Sequence, residues 1–146
     1  MGTGPVDAED LIAISENLPW QGLPQGTVIG HVHFHVSNLL TAQQFYCDVL
    51  GFDITCRYGS SALFVSAGGY HHHMGLNIWA GEGAPPAPEQ AAGLDYFELN
   101  VPDQQELDAI TARLTAAGYR LQERDGALYV ADPFRIQIKL VQGQTI

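Results

Sequence analysis

Between Gly30 and Val36 the chain alternates strictly, with Val32, Phe34 and Val36 on one side and His31, His33 and His35 on the other. Alternation of this kind predicts a strand, because successive side chains point to opposite faces of a sheet. A second stretch answers it. Over Tyr70–Trp79, Met74, Leu76 and Ile78 fall on one parity, and His71, His73, Gly75, Asn77 and Trp79 on the other. That parity groups His72 with Met74 and Leu76. If the two strands share a sheet, five of the six histidines line one polar face.

The pattern between and around these stretches supplies the other elements. Asp7 is an N-cap for a helix from about Ala8 to Leu18, and Pro19–Gly26 is a turn-rich connector in which Trp20 reads as a packing anchor. Asn38 caps a helix that runs to Leu50 and stops at Gly51. Strands follow at Phe52–Arg57 and Ala62–Ser66, with turns at Tyr58–Ser61 and Ala67–Gly69. After a Pro/Gly/Ala-rich loop from Gly81 to Gly93 the order returns. A strand at Leu94–Val101 is followed by a helix from its Asp103 cap to Ala117, then strands at Tyr119–Glu123, Ala127–Ala131 and Arg135–Val141. The fold class is therefore α+β, with two βαβββ modules at 27–80 and 94–142. Residues 1–26 form an N-terminal helix and linker ahead of a domain over 27–146.

The formal net charge of −10 argues against a nucleic-acid or anionic-membrane surface, and a small uncharged partner suits it better. Cys47 and Cys56 have neither disulfide nor zinc spacing. With no apolar signal core at the start of the sequence and no run of membrane-spanning length, the expected setting is cytoplasmic. Imidazoles are the commonest metal ligands, so His31, His33, His71 and His73 are candidates to gather round one ion, with Glu98 the nearest candidate carboxylate. The bland alternative is a water-lined cleft in which they only form hydrogen bonds.

The run Gly30-His31-Val32-x-Phe34-x-Val36, with Leu39 and then Phe45-Tyr46-x-x-Val49-Leu50-Gly51-Phe52, resembles the opening of the vicinal oxygen chelate superfamily (glyoxalase I, bleomycin-resistance proteins, extradiol ring-cleaving dioxygenases). Pro19-Trp20-x-Gly22-Leu23-Pro24-x-Gly26-Thr27 and Phe64–His73 resemble the C-terminal half of catechol-2,3-dioxygenase-like proteins, which carry four modules. The resemblance implies paired sheets round a cleft, helices outside and the histidine face inside. It also implies Fe(II) or another divalent metal, and a small aromatic substrate. Its iron-ligand positions fall on His31, Tyr96 and Lys139 here, so one ligand type of three is kept. His31, helped by His33 or Glu98, is then the metal-site expectation, and a cleft without an ion, closed by a Glu98–Lys139 pair, is the other.

By the same resemblance His73 stands at the acid–base histidine and Tyr129 at a substrate-contacting tyrosine, both catalytic candidates. His33, His35, His71, Asn77, Tyr96 and Lys139 are candidate substrate contacts. Arg135 replaces the glycine that usually follows the Asp-Pro-x turn. Two readings of function follow: an extradiol dioxygenase domain with a degenerate ligand set, or a non-catalytic domain that binds a small aromatic molecule or docks a partner. A homodimer, or pairing with another module pair, suits either.

Overall fold

The computed structural model describes residues 4–15, 18–88 and 90–143. Its elements are α1 (Ala8–Ile14), β1 (Val32–His35), α2 (Leu39–Gln43, continued by a π-helical turn over Gln44–Val49), β2 (Asp53–Tyr58), β3 (Ala62–Ser66) and β4 (Met74–Asn77). The second module supplies β5 (Phe97–Val101), α3 (Gln104–Ala116), β6 (Gln122–Arg124), β7 (Ala127–Ala131) and β8 (Gln137–Gln142). Two four-stranded sheets result, β1-β4-β3-β2 and β5-β8-β7-β6, each with one parallel pair at the crossover. The repeat predicted from the pattern is thus present in three dimensions.

Register explains the faces. Val32 lies opposite Met74 and Phe34 opposite Leu76, while His33 lies opposite Gly75 and His35 opposite Asn77. The apolar set turns to α2, where Ala42, Phe45 and Tyr46 are fully buried. In the second module Ile138 and Leu140 meet Ile110 and Leu114 of α3 in the same core. The modules join on this helix side. Phe34 packs on Phe97 with ring centroids 5.3 Å apart, and Phe45 packs edge-on against Tyr119 at 4.8 Å. Arg113 of α3 donates to the carbonyls of Val49 and Leu50, at 2.8 and 3.2 Å, and so caps the end of the π-helical turn. The Tyr46 hydroxyl donates to buried Asp132 at 2.8 Å.

Several expectations are corrected. His31, His33 and His35 are exposed, so the histidine face of β1 lies open to solvent rather than inside a closed cleft. His71–His73 precede β4 instead of belonging to it, yet parity carries through them: His72 is buried with Met74 and Leu76, while His71 and His73 are exposed. Strand β5 begins at Phe97, three residues after the alternation does, and β6 begins at Gln122. The first helix ends at Ile14, and part of its expected extension lies outside the described residues. Trp20 is 78% exposed and anchors nothing.

Candidate functional site

A cavity of about 1190 Å³ lies between the modules. It brings together four of the sequence-selected residues, His31, His73, Tyr96 and Glu98, with apolar walls from Ile29, Leu94, Phe97 and Leu99. The edge strands of the two sheets form its sides: β1 with its approach, and β5. His33, His35, His71, Asn77, Tyr129 and Lys139 do not line it.

His73 is held from behind. Its Nδ1 accepts from the backbone N–H of Ala67 at 3.3 Å and lies 2.9 Å from Ser66 Oγ. A backbone N–H can only donate, so Nδ1 is unprotonated and the neutral ring carries its proton on Nε2. Ser66, itself buried, is a residue that alternation could not single out. His72, which parity groups with Met74 and Leu76, is the buried imidazole of this segment. Its Nδ1 has no partner among the described residues, and its ring sits 4.6 Å from His31, 4.5 Å from His71 and 5.1 Å from Phe64. Burial, reinforced by the neighbouring imidazoles, lowers its pKa.

The open face of the first sheet carries a second group. Asn77, 2% exposed, bonds His33 Nε2 at 2.8 Å and His35 Nδ1 at 2.6 Å. Its Oδ1 also accepts from the Trp79 N–H at 2.9 Å, so both lone pairs of that oxygen and one proton of the NH2 group are taken within the protein. Trp79 and Phe64 flank the His33 ring at 5.3 and 5.8 Å, and His33 lies directly over Gly75, where an added Cβ would meet the ring at 3.1 Å. Burial chiefly, then His31 and His35, lower the His33 pKa.

On the second sheet, Glu98 and Lys139 are opposite in register, and Lys139 Nζ lies 2.5 Å from Glu98 Oε1. That hydrogen bond, before other causes, raises the lysine pKa. Tyr129 is opposite Lys139, stacks edge-on with Tyr96 at 5.5 Å, and takes Arg124 over its ring. These residues make a compact polar patch. Asp132 accepts from the N–H groups of Phe134 and Ile136, at 2.8 Å each, and holds the turn in which Arg135 adopts φ +71°.

The donor chemistry of these positions does not fit the two-histidine, one-carboxylate iron set. Of the positions that the resemblance singles out, His31, Tyr96 and Lys139, the last two carry a phenol and an ammonium, and Glu98 is already paired with that ammonium. His33 spends its Nε2 lone pair on Asn77. Among the described residues no group of three or more His, Cys, Asp or Glu side chains is placed to hold an ion, so the expected trio of His31, His33 and Glu98 is not assembled as a ligand set.

The paired βαβββ sheets with a cavity between them define a fold class that comparison identifies. The model of the Glyoxalase/Bleomycin resistance protein/Dioxygenase superfamily matches residues 28–140, and the chain belongs to that superfamily. A catechol-2,3-dioxygenase of Bacillus subtilis (strain 168) is 53% identical over 134 residues, which cover 91% of this chain and 47% of that protein. The chain spans about half the length of this relative. Among solved structures, a lactoylglutathione lyase from Agrobacterium tumefaciens superposes with a TM-score of 0.60 at 19% identity, covering 82% of this chain and 96% of its own. A glyoxylase/bleomycin resistance protein/dioxygenase domain from Frankia sp. EAN1pec gives 0.61 at 21%, covering 81% and 98%. These two likenesses speak to the fold alone. No helix among the described residues is long and apolar enough to cross a membrane.

Proposed function

We propose that this domain binds a small hydroxylated aromatic molecule in the cavity between its modules, as the substrate-binding module pair of a catechol-dioxygenase-type protein. The observation that carries this reading is the cavity itself. It has the size and the largely apolar lining of a ligand site, and its polar lining includes two imidazoles, a phenol, two side-chain amides and three carboxylates. A flat ring would lie against Ile29, Leu94 and Phe97, and its hydroxyls would meet His31 and the Nε2–H of His73. The likeness to a catechol-2,3-dioxygenase supports an aromatic diol as the ligand class. The superfamily's metal would supply oxygen activation when bound, and its complete ligand set does not come from this chain's own positions. Such a set requires donors from another module pair or a second copy.

Titration calorimetry of catechol into chelator-treated protein tests the reading. The expected result is one catechol per chain without added iron, with binding weakened about fivefold by His73→Gln through loss of one hydrogen bond. Binding that appears only after Fe(II) is added, or that ignores His73→Gln, would reject it. The tautomer of His73 favours an orienting role: as a neutral Nε2–H donor with its other nitrogen held by Ala67, it aims a hydrogen bond at a hydroxyl oxygen of the bound molecule.

A further inference from the structure

Asn77 stands at the centre of three hydrogen bonds whose directions can all be fixed. The backbone N–H of Trp79 reaches one oxygen-side atom of the amide at 2.9 Å, and because that N–H can only donate, the atom is Oδ1. The other amide atom is therefore the NH2 group, and it donates to His33 Nε2. His33 must then carry its proton on Nδ1 when neutral. Oδ1 also faces His35 Nδ1 at 2.6 Å; an oxygen acceptor requires a donor, so His35 is protonated on Nδ1 as well.

We infer that Asn77 is a positioning residue that fixes His33 and His35 in the Nδ1–H tautomer, the less populated form of a free imidazole, and removes His33 Nε2 from metal binding. The consequence is a face with two polarities. His33 offers an N–H, having no lone pair left to give. His35, two residues along the same face, keeps Nε2 as an acceptor. Gly75 makes this possible, since its missing Cβ lets the His33 ring lie flat over the strand to reach the buried amide. A sheet face lined with imidazoles reads in sequence as a metal site; the amide behind it turns this part of it into a neutral hydrogen-bonding surface. The inference stands on hydrogen bonds outside the cavity, so it holds or fails independently of what the cavity binds.

Long-range nitrogen–proton correlation spectra of nitrogen-15-labelled protein at pH 8 give the tautomers directly. His33 and His35 are both expected as Nδ1–H, and His73 as Nε2–H in the same spectrum. In Asn77→Asp the carboxylate can still accept from Trp79 and His35 but cannot donate, so His33 is expected to invert to Nε2–H while His35 keeps its form. Added Zn(II) is expected to leave the His33 Nε2 signal of the unsubstituted protein in place. A wild-type His33 already protonated on Nε2, an Asn77→Asp variant with an unchanged His33, or a Zn(II)-shifted His33 Nε2 would each overturn the inference. The wild-type spectrum alone decides it should the variant fail to fold.

Discussion

Lys139 and Glu98 stand opposite each other in register and pair, so the candidate carboxylate ligand read from the sequence is already held by an ammonium. This much was legible in sequence, because the register of two parallel strands can be read from matched alternation. The roles of Asn77 and Ser66 were not. Each depends on what lies behind a strand, which parity cannot report. Tyr46 illustrates the same limit: its spacing marks helix packing, and only the fold reveals that its hydroxyl reaches Asp132 in the other module. Burial first, then the Asp132 carboxylate, holds the Tyr46 phenol well above its ordinary 10.0. A folded pKa raised above the unfolded one gives stability that is complete below pH 10 and lost as pH rises beyond it, because only the unfolded phenol then ionises. Stability measured by urea unfolding should therefore decline above pH 10 in the native protein. Tyr46→Phe should flatten that decline and cost about 1 kcal/mol at neutral pH through the lost hydrogen bond. An unchanged alkaline slope would count against this coupling.

At the scale of elements, the two repeats carried most of the fold in their sequence. Alternation placed β1, β5 and β8, turn signals bounded β3 and β7, and the caps Asn38 and Asp103 hold their helices as expected, accepting from Thr41 and Glu106. The π-helical turn over Gln44–Val49 left no such mark, since one widened turn hardly changes the apolar spacing. The turn before β8 is the clearest local departure. Arg135 sits at φ +71°, in the left-handed region, where a side chain is costly and glycine is not. Arg135→Gly should stabilise the domain by about 0.5–1 kcal/mol, the relieved strain being partly offset by the greater freedom of glycine in the unfolded chain. Thermal unfolding reads this directly, and a lower midpoint would mean that the Arg135 side chain contributes contacts outweighing the strain. Arg113→Ala tests the join between modules. With the Val49 and Leu50 carbonyls uncapped, a loss of about 1–2 kcal/mol is expected in the same assay.

At the scale of the molecule, the modules meet on their helix sides, and the space left between their edge strands is the cavity. Sequence identified the surfaces but not which of them would converge. The imidazole row divides: His31 turns to the cavity, where His73 also lies, while His33 and His35 stay on the open sheet face, bound to Asn77. The central claim is that a hydroxylated aromatic molecule binds between the modules without iron from this chain. The most direct measurement is a chemical-shift map of the chelator-treated protein titrated with catechol. Shifts are expected to centre on His31, His73, Tyr96 and the Phe97 strand, with His33 and Trp79 little changed. Shifts confined to His33, His35 and Trp79, or none until Fe(II) is added, would contradict that claim.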